Sequence, residues 1–90
     1  MLKRVGQLRA LLLEMESSLG LTELSPSERD VLYAISAICD VDPSGAKSEA
    51  IRAHPLVVAI PPASFHRALR ALIDQGYVQP AEHRRAGLYI

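Results

Sequence analysis

Among the side chains of this sequence that can do chemistry, the arginines are the ones set in a pattern. Arg67 and Arg70 stand three residues apart, and Arg84 and Arg85 are adjacent. A guanidinium carries a fixed fork of donors and a permanent charge, so clustered arginines suit phosphate oxygens. The residue types for nucleophilic catalysis are present, as in almost any chain. No nucleophile elbow, glycine-rich phosphate loop or paired-carboxylate motif organises them. Three histidines and one cysteine lack zinc-ligand spacing, and His66 with Arg70 four residues on is no metal motif. The expectation is a protein that is not an enzyme and needs no cofactor or metal. Cys39 has Asp40 and Asp42 beside it. That is the wrong electrostatic setting for a reactive thiolate, so Cys39 reads as a small core residue.

Ten basic and ten acidic side chains cancel to a formal zero, but the cancellation is uneven along the chain. Residues 1–20 hold three basic and two acidic groups, a net +1. Residues 21–50 hold two basic and six acidic groups, a net −4, and residues 51–90 hold five and two, a net +3. Ninety residues with 49% apolar and 22% charged side chains have globular rather than disordered composition and room for one domain. A chain of this length buries roughly two-thirds of its unfolded surface at best, so a partner subunit is a reasonable stabiliser. One cysteine cannot form an intramolecular disulfide, which points to a reducing compartment. No apolar run approaches the roughly 18 residues of a membrane span. Glu14 and Glu16 interrupt Leu11-Leu12-Leu13 before a signal-peptide core could form. A cytoplasmic location is expected, with no membrane contact.

Several elements must position the arginines. Val5, Leu8, Leu12, Met15 and Leu19 recur at spacings of three and four, the a/d seam of a pairing helix. Leu2, Leu11 and Leu13 widen the apolar surface. A helix with two such flanks can pack on its own domain with one and on a partner with the other, or simply face the core. We adopt dimerisation, with Gly20 as the left-handed cap. Ser25-Pro26-Ser27-Glu28 is a capping box with proline at the first helical position. It opens a helix with Val31, Leu32, Ile35, Ile38 and Cys39 on one face, ending near Asp40 before the turn residues 42–45. A short helix starts at Lys47 or Ser48 and breaks at His54, before Pro55. Leu56 to Ile60 is an apolar connector or a further helical turn. Pro61-Pro62 starts a helix running from Ala63 to Gln75, capped by Gly76. Tyr77–Gln79 and Leu88–Ile90 read as two short strands of a hairpin around residues 80–87.

Three segments together resemble a known family. They are the helix entry Ser48-Glu49-Ala50-Ile51, the run Ser64-Phe65-His66-Arg67-Ala68-Leu69-Arg70-Ala71-Leu72, and the stop Gln75-Gly76-Tyr77-Val78. Residues 25–90 resemble a winged helix-turn-helix domain, and with the first helix the chain is similar to a small MarR-like regulator. The resemblance implies a mainly α fold with a small β-hairpin. Residues 1–20 would be an N-terminal dimerisation helix and residues 21–90 the winged helix-turn-helix domain. Two departures stand out. The linker His54–Pro62 is longer and more apolar than the usual turn, and the C-terminal dimerisation helix of that family has no counterpart here. Pairing would then rest on residues 2–19.

A recognition helix reads base edges from its outward face, mostly near its N-terminus. At about 100° per residue, Phe65, Leu69, Leu72 and Ile73 fall within about 60° of Leu69 and form the core face. Arg67 lies about 160° away and Ser64 about 140° on the other side, which makes them the base-contact candidates. Arg70, at about 100°, suits a phosphate, and His66, at about 60°, should be half-buried on the flank. Arg84 and Arg85 at the wing tip suit minor-groove or phosphate contacts, unless they merely keep a turn soluble. Lys47 and Ser48 could add backbone contacts. The expected function is sequence-specific binding of double-stranded DNA by a homodimeric, cytoplasmic transcriptional regulator. A winged helix serving as a protein-interaction or assembly module is the rival, favoured by the apolar first helix and by Leu56 to Ile60. The sequence identifies no small-molecule effector.

Overall fold

A computed structural model describes residues 1–80 and the backbone of residues 88 and 89. In chain order it contains α1 (Leu2–Leu19), a single 3₁₀ turn (Leu21–Glu23), α2 (Pro26–Val41) and β1 (Ala46–Lys47). Then follow α3 (Ser48–Ala53), α4 (Pro62–Asp74) and β2 (Leu88–Tyr89). The chain is mainly α. Gly20 and Gly76, with φ of 75° and 83°, supply the left-handed backbone that ends α1 and follows α4. A Cβ would strain that conformation.

The capping box at Ser25 forms in full. The Ser25 hydroxyl accepts from the Glu28 amide at 3.2 Å, and the Glu28 carboxylate accepts from the Ser25 amide at 3.0 Å. Pro26 occupies the first turn, where a missing N–H leaves nothing unsatisfied. At the other end α2 runs through Val41, slightly past the expected stop, and Asp42 closes it. The Asp42 carboxylate accepts from the Ser44 hydroxyl at 2.6 Å and from its amide at 3.1 Å. Those bonds hold the carboxyl below the usual aspartate range and shape the turn into Gly45.

The core lies where α4 packs across α2. Val31, Ala34 and Ile35 of α2 meet Phe65, Ala68, Leu69 and Leu72 of α4, closed off by Ile51, Val57 and Val78. Burying each large side chain contributes about 1.5–3 kcal/mol. The small Ala68, absent from the expected core face, is buried too. Cys39 sits half-buried at the edge of this core.

The connector after α3 is a series of tight turns. The amides of Val57 and Val58 both donate to the His54 carbonyl, and that of Ile60 donates to Val57. Val57 anchors it in the core, while Leu56 and Val58 stay exposed.

The expected strand at Tyr77–Gln79 does not form. The Tyr77 and Val78 amides donate to the Leu72 carbonyl at 3.0 and 3.4 Å, so they finish α4 and cannot join a ladder. Val78 is drawn into the core instead. The strand near the C-terminus forms over Leu88–Tyr89 and pairs antiparallel with β1, Ala46 opposite Tyr89 and Lys47 opposite Leu88. The expected hairpin tip, including Arg84 and Arg85, lies outside the described residues.

Helix α1 joins the rest through polar chemistry. Its apolar side chains are exposed, and the residue it buries is Glu16, at 4% exposure. The Glu16 carboxylate accepts from the Tyr33 hydroxyl and lies 3.7 Å from Nε of Arg29. Arg29 Nη1 also donates to the carbonyls of Leu24 at 2.8 Å, Leu21 at 3.4 Å and Thr22 at 3.5 Å. One guanidinium thus ties α1, the 3₁₀ turn and α2 together.

Arg29→Ala leaves a buried carboxylate with the tyrosine hydroxyl alone, and is expected to cost about 3 kcal/mol. Glu16→Gln keeps an acceptor for Tyr33 and is expected to cost about 1 kcal/mol. Urea unfolding measures both, and equal or negligible losses would show that this junction does not hold α1. Burial first, and then the Glu16 carboxylate, push the Tyr33 hydroxyl from 10.0 to about 12. Folding favours the protonated phenol, so its contribution is complete below pH 10 and lost as pH rises towards 12. A Tyr33→Phe variant should lack that part of the alkaline decline in stability.

Candidate nucleic-acid interface

The arginine face of α4 is set by how the helix starts and by what it buries. Pro61 caps the helix in extended conformation, and Pro62 takes the first position. The buried residues are Phe65, Ala68, Leu69 and Leu72. Including Ala68 shifts the centre of the buried arc about 50° from Leu69, away from His66. That shift explains three departures from the simple helical wheel.

His66, expected half-buried, is exposed, because it now lies about 110° from the buried centre. Its ring stands edge-on to Phe65, with centroids 5.2 Å apart and planes at 69°. Ser64, expected to face outward, is half-buried, at about 90° from that centre. Arg70 becomes as outward as Arg67, both about 150° away, with Asp74 farther round on the same line. All three are exposed.

Arg67 and Ser64 are linked, Arg67 Nη2 donating to the Ser64 hydroxyl at 3.3 Å. On one side these two and Ala68 line a crevice shared with Ser25, Ser27 and Glu28 at the start of α2. On the other side Arg67 borders a shallow depression with His66, Arg70, Ala71 and Asp74. Arg67 therefore borders both.

Lys47 is exposed on β1, and Ser48 is half-buried at the start of α3. Strand β2 begins three residues after Arg85 and sets Leu88 opposite Lys47. The backbone that follows the two arginines in sequence thus returns to the strand bearing Lys47.

Arg52 was not among the expected site residues. It is exposed in the last turn of α3, its guanidinium carbon 5.9 Å from the centroid of the Phe65 ring. With Glu49, Val57, Val58, Ile60 and Pro62 it lines a concavity between α3 and α4. Its position directly after the buried Ile51 was the available signal.

Burial, and then the charge of Asp42, push the Cys39 thiol up, so it stays protonated at neutral pH. Among the described residues, no three His, Cys, Asp or Glu side chains are grouped to hold a metal ion. No helix among them is long and apolar enough to cross a membrane. No protein-family model, curated protein or solved structure matches the chain.

Because Arg67 and Arg70 lie on the open face, replacing either by Ala should change folding stability by no more than about 0.5 kcal/mol. Phe65→Ala, on the opposite face, should cost about 3–5 kcal/mol. Calorimetric melting separates the two faces. A large loss from Arg70→Ala would assign that residue to the fold rather than to a ligand.

Proposed function

We propose that this chain is a winged helix-turn-helix protein, similar to MarR-like regulators, that binds double-stranded DNA as a cytoplasmic homodimer and regulates transcription. The observation that carries this reading is α4, a helix that buries one face in the core and presents Arg67 and Arg70 on the other. Held at one edge of the domain, such a helix can lie in a major groove, with Arg67 near base edges and Arg70 at a phosphate. Ser64, half-buried, orients Arg67 more than it reads a base. Lys47 and Ser48 add contacts from the start of α3, and Arg84 and Arg85 from the wing. The return of β2 to β1 supports a wing. The exposure of Val5, Leu8, Leu12, Met15 and Leu19 supports pairing through α1, which would set two recognition helices roughly 34 Å apart on a pseudo-palindromic site.

The exposed Leu56 and Val58 favour the rival reading, a protein-interaction module with the same fold. Fold alone does not choose between them. Fluorescence anisotropy with a labelled duplex does. Binding should be measurable at low salt and fall steeply between 50 and 200 mM, since phosphate contacts release counterions. Arg70→Ala should weaken all sequences alike and lower the salt slope by about one, whereas Arg67→Ala should cost about 1–3 kcal/mol and relax specificity at one position. Absence of duplex affinity even at low salt would overturn the DNA reading in favour of the interaction module.

A further inference from the structure

Helix α1 leaves its apolar surface without cover from its own domain. Its residues Val5, Leu8, Leu11, Leu12, Met15 and Leu19 are all exposed, the least of them, Leu12, at 37%. At about 1.5 Å per residue its 18 residues reach about 27 Å, more than half of the 45 Å long axis of the molecule.

We infer that α1 pairs with α1 of a second copy of this chain, and that the two helices run antiparallel. This rests on the dimer half of the proposed function and is independent of the DNA half. The seam residues place Val5, Leu12 and Leu19 at a and Leu8 and Met15 at d. The pattern is close to symmetric about Leu12, so an antiparallel pair sets Val5 against Leu19, Leu8 against Met15 and Leu12 against its own copy.

Charge decides the direction. Arg4 falls at g and Arg9 at the next e, the two flanks that face each other across a parallel seam. A parallel pair would therefore oppose Arg4 and Arg9 twice, once on each side. Antiparallel, Arg4 meets the neutral Ser18, and neither Arg4 nor Arg9 faces its own copy or the other. Glu16, buried against Tyr33 and Arg29 of its own domain, takes no part in the seam. The wider field agrees. The first half of α1 carries Lys3, Arg4 and Arg9 with no acid, while residues 21–50, which follow its other end, carry a net −4. Reversing one helix brings each basic half towards the partner's acidic segment, and the helix dipoles align favourably in the same arrangement. The same two-fold operation gives an isologous, closed interface.

Sedimentation of the full chain should give twice the monomer mass of 9.8 kDa. Leu8→Glu should return it to the monomer mass with its helical circular dichroism retained, because Leu8 is exposed in the single chain. Direction is read by oxidative cross-linking in a Cys39→Ala background. A mixture of Val5→Cys and Leu19→Cys chains should give mainly the mixed disulfide dimer, and each variant alone should stay largely unlinked. Dominant Val5→Cys or Leu19→Cys self-linking would overturn the antiparallel pairing. A wild type that stays monomeric throughout the millimolar range, or a monomer that instead binds anionic phosphatidylserine vesicles through α1, would overturn the pairing itself. None of these measurements involves DNA, so loss of duplex binding and loss of pairing are separately visible.

Discussion

Glu16 carries a carboxylate into a site with almost no access to water, and an uncompensated charge there would be costly. The Tyr33 hydroxyl and the Arg29 guanidinium compensate it. Arg29 in turn satisfies carbonyls of Leu21, Thr22 and Leu24 with its remaining donors. The chain can leave α1, turn once and enter α2 at a fixed angle because these groups close on one another. Leu21 and Leu24 add buried apolar side chains at this corner, and the polar groups supply the direction that hydrophobic contact alone lacks. The polar junction orients α1 as a projecting arm and leaves its leucines free of the core.

The second constraint is the volume available between α2 and α4. Ala68 belongs to the buried face of α4, and the orientation that buries it leaves Arg67 and Arg70 on the open face and Ser64 half-buried. A core decision therefore sets which charges are presented. The neutral total charge loses its force at this level, since a ligand meets a face rather than a sum. The acidic groups of residues 21–50 lie mostly on α2 and its flanks, and the outward line of α4 carries two arginines and one aspartate.

Much of the helical frame was legible in the residues. Gly20, the capping box at Ser25, the entry at Ser48, the break at His54 and the start at Pro61-Pro62 act through local chemistry, and each stands where the pattern placed it. Four things depended on contacts beyond the local pattern and were not legible. The wheel of α4 treated alanine as neutral, so it missed the rotation that exposes His66. Tyr77 and Val78 have strand-forming side chains, but their amides are used by the end of α4. Strand β1 spans Ala46–Lys47, too short to show alternation, and exists because Leu88 and Tyr89 return to it. Glu16 was read as a charge that interrupts a signal-like run, and nothing local distinguishes it from Glu14. Its burial follows from the positions of Arg29 and Tyr33.

The central claim is that the open face of α4 is the nucleic-acid surface. Titrating a labelled 20-base-pair duplex into ¹⁵N-labelled protein at low salt, followed by amide chemical shifts, tests it most directly. The account predicts shifts concentrated at residues 63–71 and at Lys47 and Ser48, with the amides of α1 unmoved. Shifts confined to α1 and to Leu56–Ile60, or no shifts at all, would contradict it.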